Sequence, residues 1–307
     1  MRRILVAGEL NADLVLTGLP TLPQLGRELL AEGFQLALGS SSAITAARLA
    51  ALGATVDFVG YIAADEIGRF VLKELKKFGV GVHSIRTIAI GVTGVTVSLT
   101  YAHDRALLTY PGVMAVFDGA NITPEMLRDY VHLHVGSFFL QPALQPELPR
   151  LFALARAAGL TTSLDVGWDP QEQWLDNPFL AHTLEQTDIF LPNETEAKAL
   201  NVGQWPPVGL AGKIKQTLVI KRGAQGAWAF AAGDKTPVVV GAYPVEVVDT
   251  TGAGDAFNAG FLYAAVVRQD SLPVALAFAT ACGAQAVTQV GGATNAPSAA
   301  VIEDHTA

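Results

Sequence analysis

The stretch V-V-D-T-T-G-A-G-D-A-F-N-A-G-F, residues 247–261, sets two threonines before three small residues and places one carboxylate where a helix ought to begin. Small residues lose the most conformational freedom on folding, so such a run needs a reason. A strand-like V-V leads in, and A-F-N-A-G-F-L-Y-A-A-V-V leads out with helical character. Gly252, Ala253 and Gly254 then occupy a helix start. Unpaired N–H groups and the helix dipole make an anion site there, and small side chains let an anion reach the backbone. Asp255, in the first turn, can accept a proton from a hydroxyl while the helix start stabilises a transferring phosphoryl group. The dipole should hold Asp255 ionised and weaken it as a base, but a loose phosphoryl-transfer transition state demands little early proton removal. The competing reading is an ordinary Gly-rich turn with an acidic residue stabilising its helix.

Outward from this run, short β-like segments at 3–8, 54–60, 131–135, 160–165, 187–191 and 217–221 alternate with helical patterns at 43–52, 65–78, 146–158, 171–185 and 193–200. Such alternation predicts an α/β fold with a mostly parallel central sheet and helices on both faces. Residues 14–38 and 85–110 break the pattern with β-branched, turn-rich segments, and G-V-T-G-V-T-V-S-L-T-Y with D-R-A-L-L-T-Y-P-G predicts a hairpin turning near Ala102 to Asp104. Two such excursions suit a small β-sheet lid on a single domain spanning 1–307, and uncovered β edges in it predict a homodimer through the lid strands.

The bulk composition limits the possible partners. The 307 residues are 50% hydrophobic and 16% charged, with 20 basic and 28 acidic side chains and a formal net charge of -8. That balance argues against a nucleic-acid or anionic-membrane surface. The most apolar region, 261–287, is broken by Arg268, Gln269, Asp270 and Pro273. It therefore falls short of the roughly 18 apolar residues of a membrane span. The apolar run after M-R-R is too short for a secretory signal, and the single Cys282 excludes an intramolecular disulfide. A reducing cytoplasm is the expected compartment.

Other constellations carry chemistry. L-P-N-E-T-E-A (191–197) puts Asn193 and Glu196 after a strand and on one helix face, where they can orient Mg²⁺ through water or form a capping box. In G-E-L-N-A-D-L-V-L, Asn11 and Asp13 point to one side of an extended chain and suit sugar hydroxyls, unless they form an Asx turn. Arg105, in the predicted hairpin, either reaches the substrate or is a solvated turn residue. His132 and His134 alternate on one strand without a third metal ligand and read as buried or sheet-edge histidines. No G-x-x-x-x-G-K-S/T occurs, nor a G-x-G-x-x-G after the first strand, so phosphate binding rests on the 250–255 loop.

D-T-T-G-A-G-D-A-F-N-A-G-F-L resembles the C-terminal signature of the ribokinase-like (PfkB) carbohydrate kinases. The resemblance implies that Asp255 is the catalytic base and that Gly252, Ala253 and Gly254 form the anion hole. Asp249 and Thr251 would help hold a monovalent cation, usually potassium, and Asn193 and Glu196 would act on Mg²⁺ and phosphate. The Asn11/Asp13 segment looks like the first substrate-contacting segment. L-G-S-S-S-A-I-T-A-A-R-L-A-A-L-G-A (38–54) resembles the N-terminal Gly-rich signature, with Gly39 and Gly53 aligned. It departs at Ser40 and Ile44, where many members have a second Gly and a sugar-binding Asn; Ser41 and Ser42 can supply hydroxyls or simply begin a helix. K-R-G-A-Q-G-A-W (221–228) resembles the nucleotide-side strand and turn, placing Lys221, Gly223 and Gly226 beside ATP, the alternative being a plain hairpin turn. Thr280 falls where many members have an Asn beside the adenine. The implied function is ATP-dependent phosphorylation of a primary hydroxyl on a small sugar or sugar acid. The alternatives are a nucleoside kinase of the same fold, disfavoured by 8% aromatic content, and a non-catalytic sugar- or nucleotide-binding regulator.

Overall fold

A computed structural model of the chain describes residues 2–101 and 105–304. In chain order the elements are β1 (Arg3–Ala7), β2 (Asn11–Thr17), β3 (Gly33–Leu38), α1 (Ser41–Ala51), β4 (Thr55–Ala63), α2 (Glu66–Lys77), β5 (Gly81–Ile88), β6 (Gly94–Thr100) and β7 (Arg105–Tyr110). There follow α3 (Pro124–Leu127), β8 (His132–Val135), α4 (Leu148–Ala157), β9 (Thr161–Leu164), α5 (Leu180–Glu185), β10 (Ile189–Phe190), α6 (Glu194–Leu200), α7 (Val208–Ala211) and β11 (Thr217–Lys221). The last are β12 (Ala227–Ala231), β13 (Val238–Val240), α8 (Ala253–Leu262), α9 (Leu272–Ala286) and α10 (Ala299–Asp304).

The main sheet runs β13-β12-β11-β10-β9-β8-β1-β4-β5. Its strands from β11 to β5 pair in parallel, and β12 and β13 add an antiparallel edge. Both faces are covered, because successive side chains of a strand point to opposite sides. In β1, Ile4 and Val6 enter one core with Phe58, Leu49 and Phe261, while Leu5 and Ala7 enter the other with Phe117, Phe138 and Phe152. Near-continuous apolar strands follow from that double coverage.

A second sheet, ordered β3-β2-β6-β7, stands beside the first. Its β2 pairs antiparallel with β3 and parallel with β6, and β6 pairs antiparallel with β7. The expected lid excursion at 85–110 begins inside the main sheet instead, since β5 runs beside β4 as far as Ile88. The expected hairpin turn near Ala102 to Asp104 lies outside the described residues.

The helix expected over 171–185 is broken. Residues 174–176 form one 3-10 turn, and only Leu180–Glu185 is α-helical. The Asp169 carboxylate accepts the N–H groups of Gln171, Gln173 and Trp174 at 2.9, 2.8 and 2.8 Å. Those donors are thereby lost to a helix, and Pro170 and Pro178 disfavour helical conformation in the residues before them.

Candidate active site

β1 is where the chain's winding reverses, with β4 on one side and β8 on the other, and open α/β sheets bind ligands at the carboxyl ends of strands near such a point. Neighbouring strands each deliver a polar residue to that end: Glu9 after β1, Ser137 after β8, Asp165 after β9, Asn193 after β10 and Lys221 closing β11. All of them line one cleft of about 1110 Å³, together with Asn11 and Asp13 from β2, Ser40 and Ser41 at α1, and Gly252, Gly254 and Asp255 at α8.

The anion-binding loop is built as its composition requires. Gly252 is the residue before α8, with φ +72°, and among the described residues no side chain caps that helix end. By contrast, α1, α2 and α6 are capped by Ser40, Asp65 and Asn193. The first bond within α8 runs from Ala256 N–H to Gly252 O at 2.8 Å, so the preceding N–H groups of Gly254 and Asp255 remain available. Ala253 N–H reaches back to Thr250 O at 3.3 Å. An anion therefore finds donors here that the starts of α1, α2 and α6 have partly used.

Asp255 lies in this first turn and faces the cleft. Its Oδ1 accepts from Ser41 Oγ at 2.6 Å, and among the described residues nothing donates to Oδ2. Burial and the neighbouring Asp165 charge push its pKa up to about 7, against the opposing Ser41 hydrogen bond and Lys221 charge. Burial and the Asp165 charge thus work against the helix dipole, which by itself would hold this group ionised. A base near neutrality is better matched to accepting a hydroxyl proton.

Lys221 Nζ donates to Asp165 Oδ2 at 2.6 Å and to Asn258 Oδ1 at 3.3 Å, while Asn258 Nδ2 also donates to Asp165. Burial pulls the Lys221 pKa down, but Asp165 and Glu196 outweigh it, and the ammonium stays charged beneath the α8 start. A Cβ on Gly254 would lie 3.5 Å from Lys221 Nζ. The cation therefore sits directly behind the anion loop.

Asn193 and Glu196 form the capping box. Glu196 N–H donates to Asn193 Oδ1 at 2.9 Å, and Glu196 accepts from Asn193 N–H and Nδ2 at 2.8 and 2.7 Å. Burial, with the Asp165 charge second, raises the Glu196 carboxyl to about 7. Both residues also line the cleft. Gly223 lines it too, whereas Gly226, with φ +82°, is a glycine for backbone reasons: a Cβ there would meet Val240 O at 2.0 Å. Thr280 is buried in α9 and its hydroxyl donates to Leu276 O at 2.8 Å, away from the cleft lining.

On the opposite side, Asn11 and Asp13 do share one face of β2. Asn11 Nδ2 donates to Thr96 Oγ1 at 2.6 Å, and among the described residues Asn11 Oδ1 is buried without a partner. A Cβ on Gly39 would lie 2.2 Å from Asp13 Oδ1 and 2.7 Å from Asn11 Oδ1, so only glycine leaves room for this polar pair. Burial raises Asp13 to about 7, countered by Arg105. Arg105, at the start of β7, is half-buried rather than solvated: its Nη1 donates to Thr251 Oγ1 at 2.6 Å, tying the lid to the anion loop. Thr251 N–H and Oγ1 donate to Asp249 Oδ1 at 2.9 and 2.7 Å, and Gly291 N–H donates to Asp249 Oδ2 at 2.9 Å.

Glu9 and Asp165 escaped the sequence reading, although Glu9 stands in the quoted G-E-L-N-A-D run and Asp165 closes L-T-T-S-L-D. Their signal was position: each is an acidic residue just past the carboxyl end of a buried strand. His132 and His134 are fully buried in the sheet, with Ser163 Oγ 2.7 Å from a ring nitrogen of each. Burial pushes them down to about 3 and about 4, so both are neutral, and among the described residues no third ligand joins them.

Comparison with known proteins places the chain as a whole. The chain is 30% identical over 303 residues to the ATP-dependent ribose-1-phosphate kinase of Halopiger xanaduensis, covering 97% of this chain and 96% of that protein. It is 27% identical over 308 residues to the ribokinase of Haemophilus influenzae, with the same coverage of both. The structure of Arabidopsis thaliana ribokinase complexed with ribose and ATP superposes with a TM-score of 0.84 at 25% identity, covering 100% of this chain and 99% of that one. The fold and the named relatives together make the chain a sugar kinase. The chain belongs to the pfkB family of carbohydrate kinases, whose model matches residues 1–299.

Proposed function

We propose that this carbohydrate kinase transfers the γ-phosphoryl group of ATP to a primary hydroxyl of a small sugar or sugar acid, as one kinase unit spanning 1–307 with its lid inserted. The observation that carries the reading is the placement of Asp255: one carboxylate oxygen held by Ser41, the other open to a cleft that also holds Asn11, Asp13 and the bare α8 start. Acceptor hydroxyls would bond to Asn11, Asp13 and the Gly39–Ser40 turn, the Ser41 hydroxyl being engaged by Asp255. Asp255 then takes the hydroxyl proton as the new O–P bond forms and the bond to the leaving ADP breaks. The 252–254 start and Lys221 stabilise charge on the moving group.

Glu196 and Asn193 offer the one or two oxygen donors that Mg²⁺ accepts while keeping water, and bound there it would neutralise phosphate charge. A monovalent cation would draw its charge balance from Asp249, since the Thr251 hydroxyl is already engaged by Arg105 and Asp249. Lys221 and Gly223 would border the nucleotide, with Gly226 shaping the turn behind them. Thr280, facing Leu276, would act only through the helix.

A second reading, a nucleoside acceptor, is favoured by one observation. Phe139 and the half-exposed Trp168 line the cleft and are linked edge-to-face through Trp174, at centroid distances of 5.5 and 5.2 Å. ADP release measured with pentoses, hexoses, keto-deoxy sugar acids and nucleosides separates the readings. Turnover with one class of free sugar is expected; turnover with nucleosides alone selects the second reading, and none with any acceptor selects a binding protein.

The lid also supports a homodimer. Its outer strands β3 and β7 carry exposed Phe34, Leu108 and Tyr110, which a partner would cover. Light scattering is expected to give twice the 32.2 kDa chain mass, and a monomeric mass overturns this. A cytoplasmic location accords with ATP as donor and with the buried, free Cys282. Among the described residues no helix is long and apolar enough to cross a membrane.

A further inference from the structure

Three consecutive serines, 40–42, begin α1, and each hydroxyl has a different task. Ser40 Oγ caps the helix by accepting Ala43 N–H at 3.0 Å and donates to Glu9 O at 2.5 Å. Ser42 donates its N–H and Oγ to the two oxygens of the buried Glu9 carboxylate at 3.0 and 2.6 Å, and its Oγ accepts Gly136 N–H at 3.0 Å. Ser41 lies between these two anchored neighbours. Its backbone is therefore fixed from both sides, and its hydroxyl donates to Asp255 Oδ1 at 2.6 Å. A second link, Thr45 Oγ1 to Asp255 O at 3.4 Å, holds α1 against α8 beside it.

We infer that Ser41 is the positioning residue of the base: it grips one oxygen of Asp255 so that the other faces the acceptor hydroxyl. The inference rests on Asp255 being the base. It departs from the expectation that Ser41 contacts substrate, because the hydroxyl proton is already given to Asp255. The bond is charge-assisted, and it favours the ionised carboxylate against everything else near it. Asp165 beyond β9, Glu9 beyond β1 and Glu196 on α6 add negative charge around Asp255, and Lys221 on β11 and Arg48 on α1 add positive charge. Removing the donor leaves the carboxylate both freer to rotate and harder to ionise.

The test is Ser41→Ala beside Ser41→Thr, with kcat, both KM values and the pH profile of kcat/KM measured for each. Alanine is expected to lower kcat about 10-fold near pH 7 and to move the acid limb about one pH unit upward, with both KM values within about 2-fold. Threonine keeps the hydroxyl and is expected to restore kcat and limb alike. Folding should persist, because Ser40 and not Ser41 caps α1. If alanine does not fold, Ser41→Cys, of similar volume but a weak donor, is read in its place. An unchanged profile in the alanine variant overturns the inference. So does a uniform loss at all pH values that threonine leaves unrescued, which marks a merely structural residue. If Asp255→Asn is itself active, the base assignment fails first; if it is dead while Ser41→Ala matches wild type, only the inference about Ser41 fails.

Discussion

Asp255→Asn is expected to lower kcat by about 10²–10⁴-fold, the usual contribution of a positioned general base, while ATP affinity stays within a few-fold. The amide has nearly the same shape as the carboxylate, so Ser41 Oγ can still donate to its oxygen and the α8 start is undisturbed. What disappears is the open oxygen able to take a proton. Loss of negative charge beside the anion loop should, if anything, favour bound phosphate. Single-turnover ADP release with calorimetric titration of ATP separates the two quantities. Near-normal turnover would remove Asp255 from the reaction and, with it, the proposed chemistry.

Gly252→Ala should be the other severe variant, lowering kcat about 10²–10³-fold, the range for losing a preorganised oxyanion-type donor. Gly252 sits at φ +72°, and a Cβ there would lie 2.4 Å from Gly292 Cα and 2.8 Å from Gly292 O. The left-handed conformation alone costs about 1–2 kcal/mol for a residue with a side chain. The opposing backbone cannot retreat easily, because Arg48 Nε holds Gly292 O at 2.7 Å and Gly291 N–H is held by Asp249. The loop must therefore shift, turning its N–H groups off the phosphoryl position. Gly254→Ala is the control: it has no positive φ, and its Cβ would make an ordinary 3.5 Å contact with Lys221 Nζ. Equal loss in both variants would show that the Gly252 geometry is not what matters.

Much of this was legible in the chain. The parallel sheet followed from apolar strands alternating with helical patterns, and β1, β4, β8, β9 and β11 lie within a few residues of where those patterns put them. The 171–185 helix was misread because Asp169 captures backbone donors that a helical period takes for granted. Arg105 could be read two ways, since a hairpin residue is solvated unless something folds beneath it; Thr251, 146 positions away, does so.

The sequence alone determined the local grammar: a glycine-rich start to α8, an acid in its first turn, a capping box at Asn193 and an amide–carboxylate pair on one strand face. These depend on neighbours within about four residues, where spacing dictates which groups share a face. Only the tertiary structure decided what surrounds the acid. Burial and Asp165 raise it towards neutrality, Ser41 secures one of its oxygens, and Lys221 pairs with Asp165 beneath the loop. Charge and desolvation act through space between segments that the chain separates by up to hundreds of residues, so no reading along the sequence could weigh them.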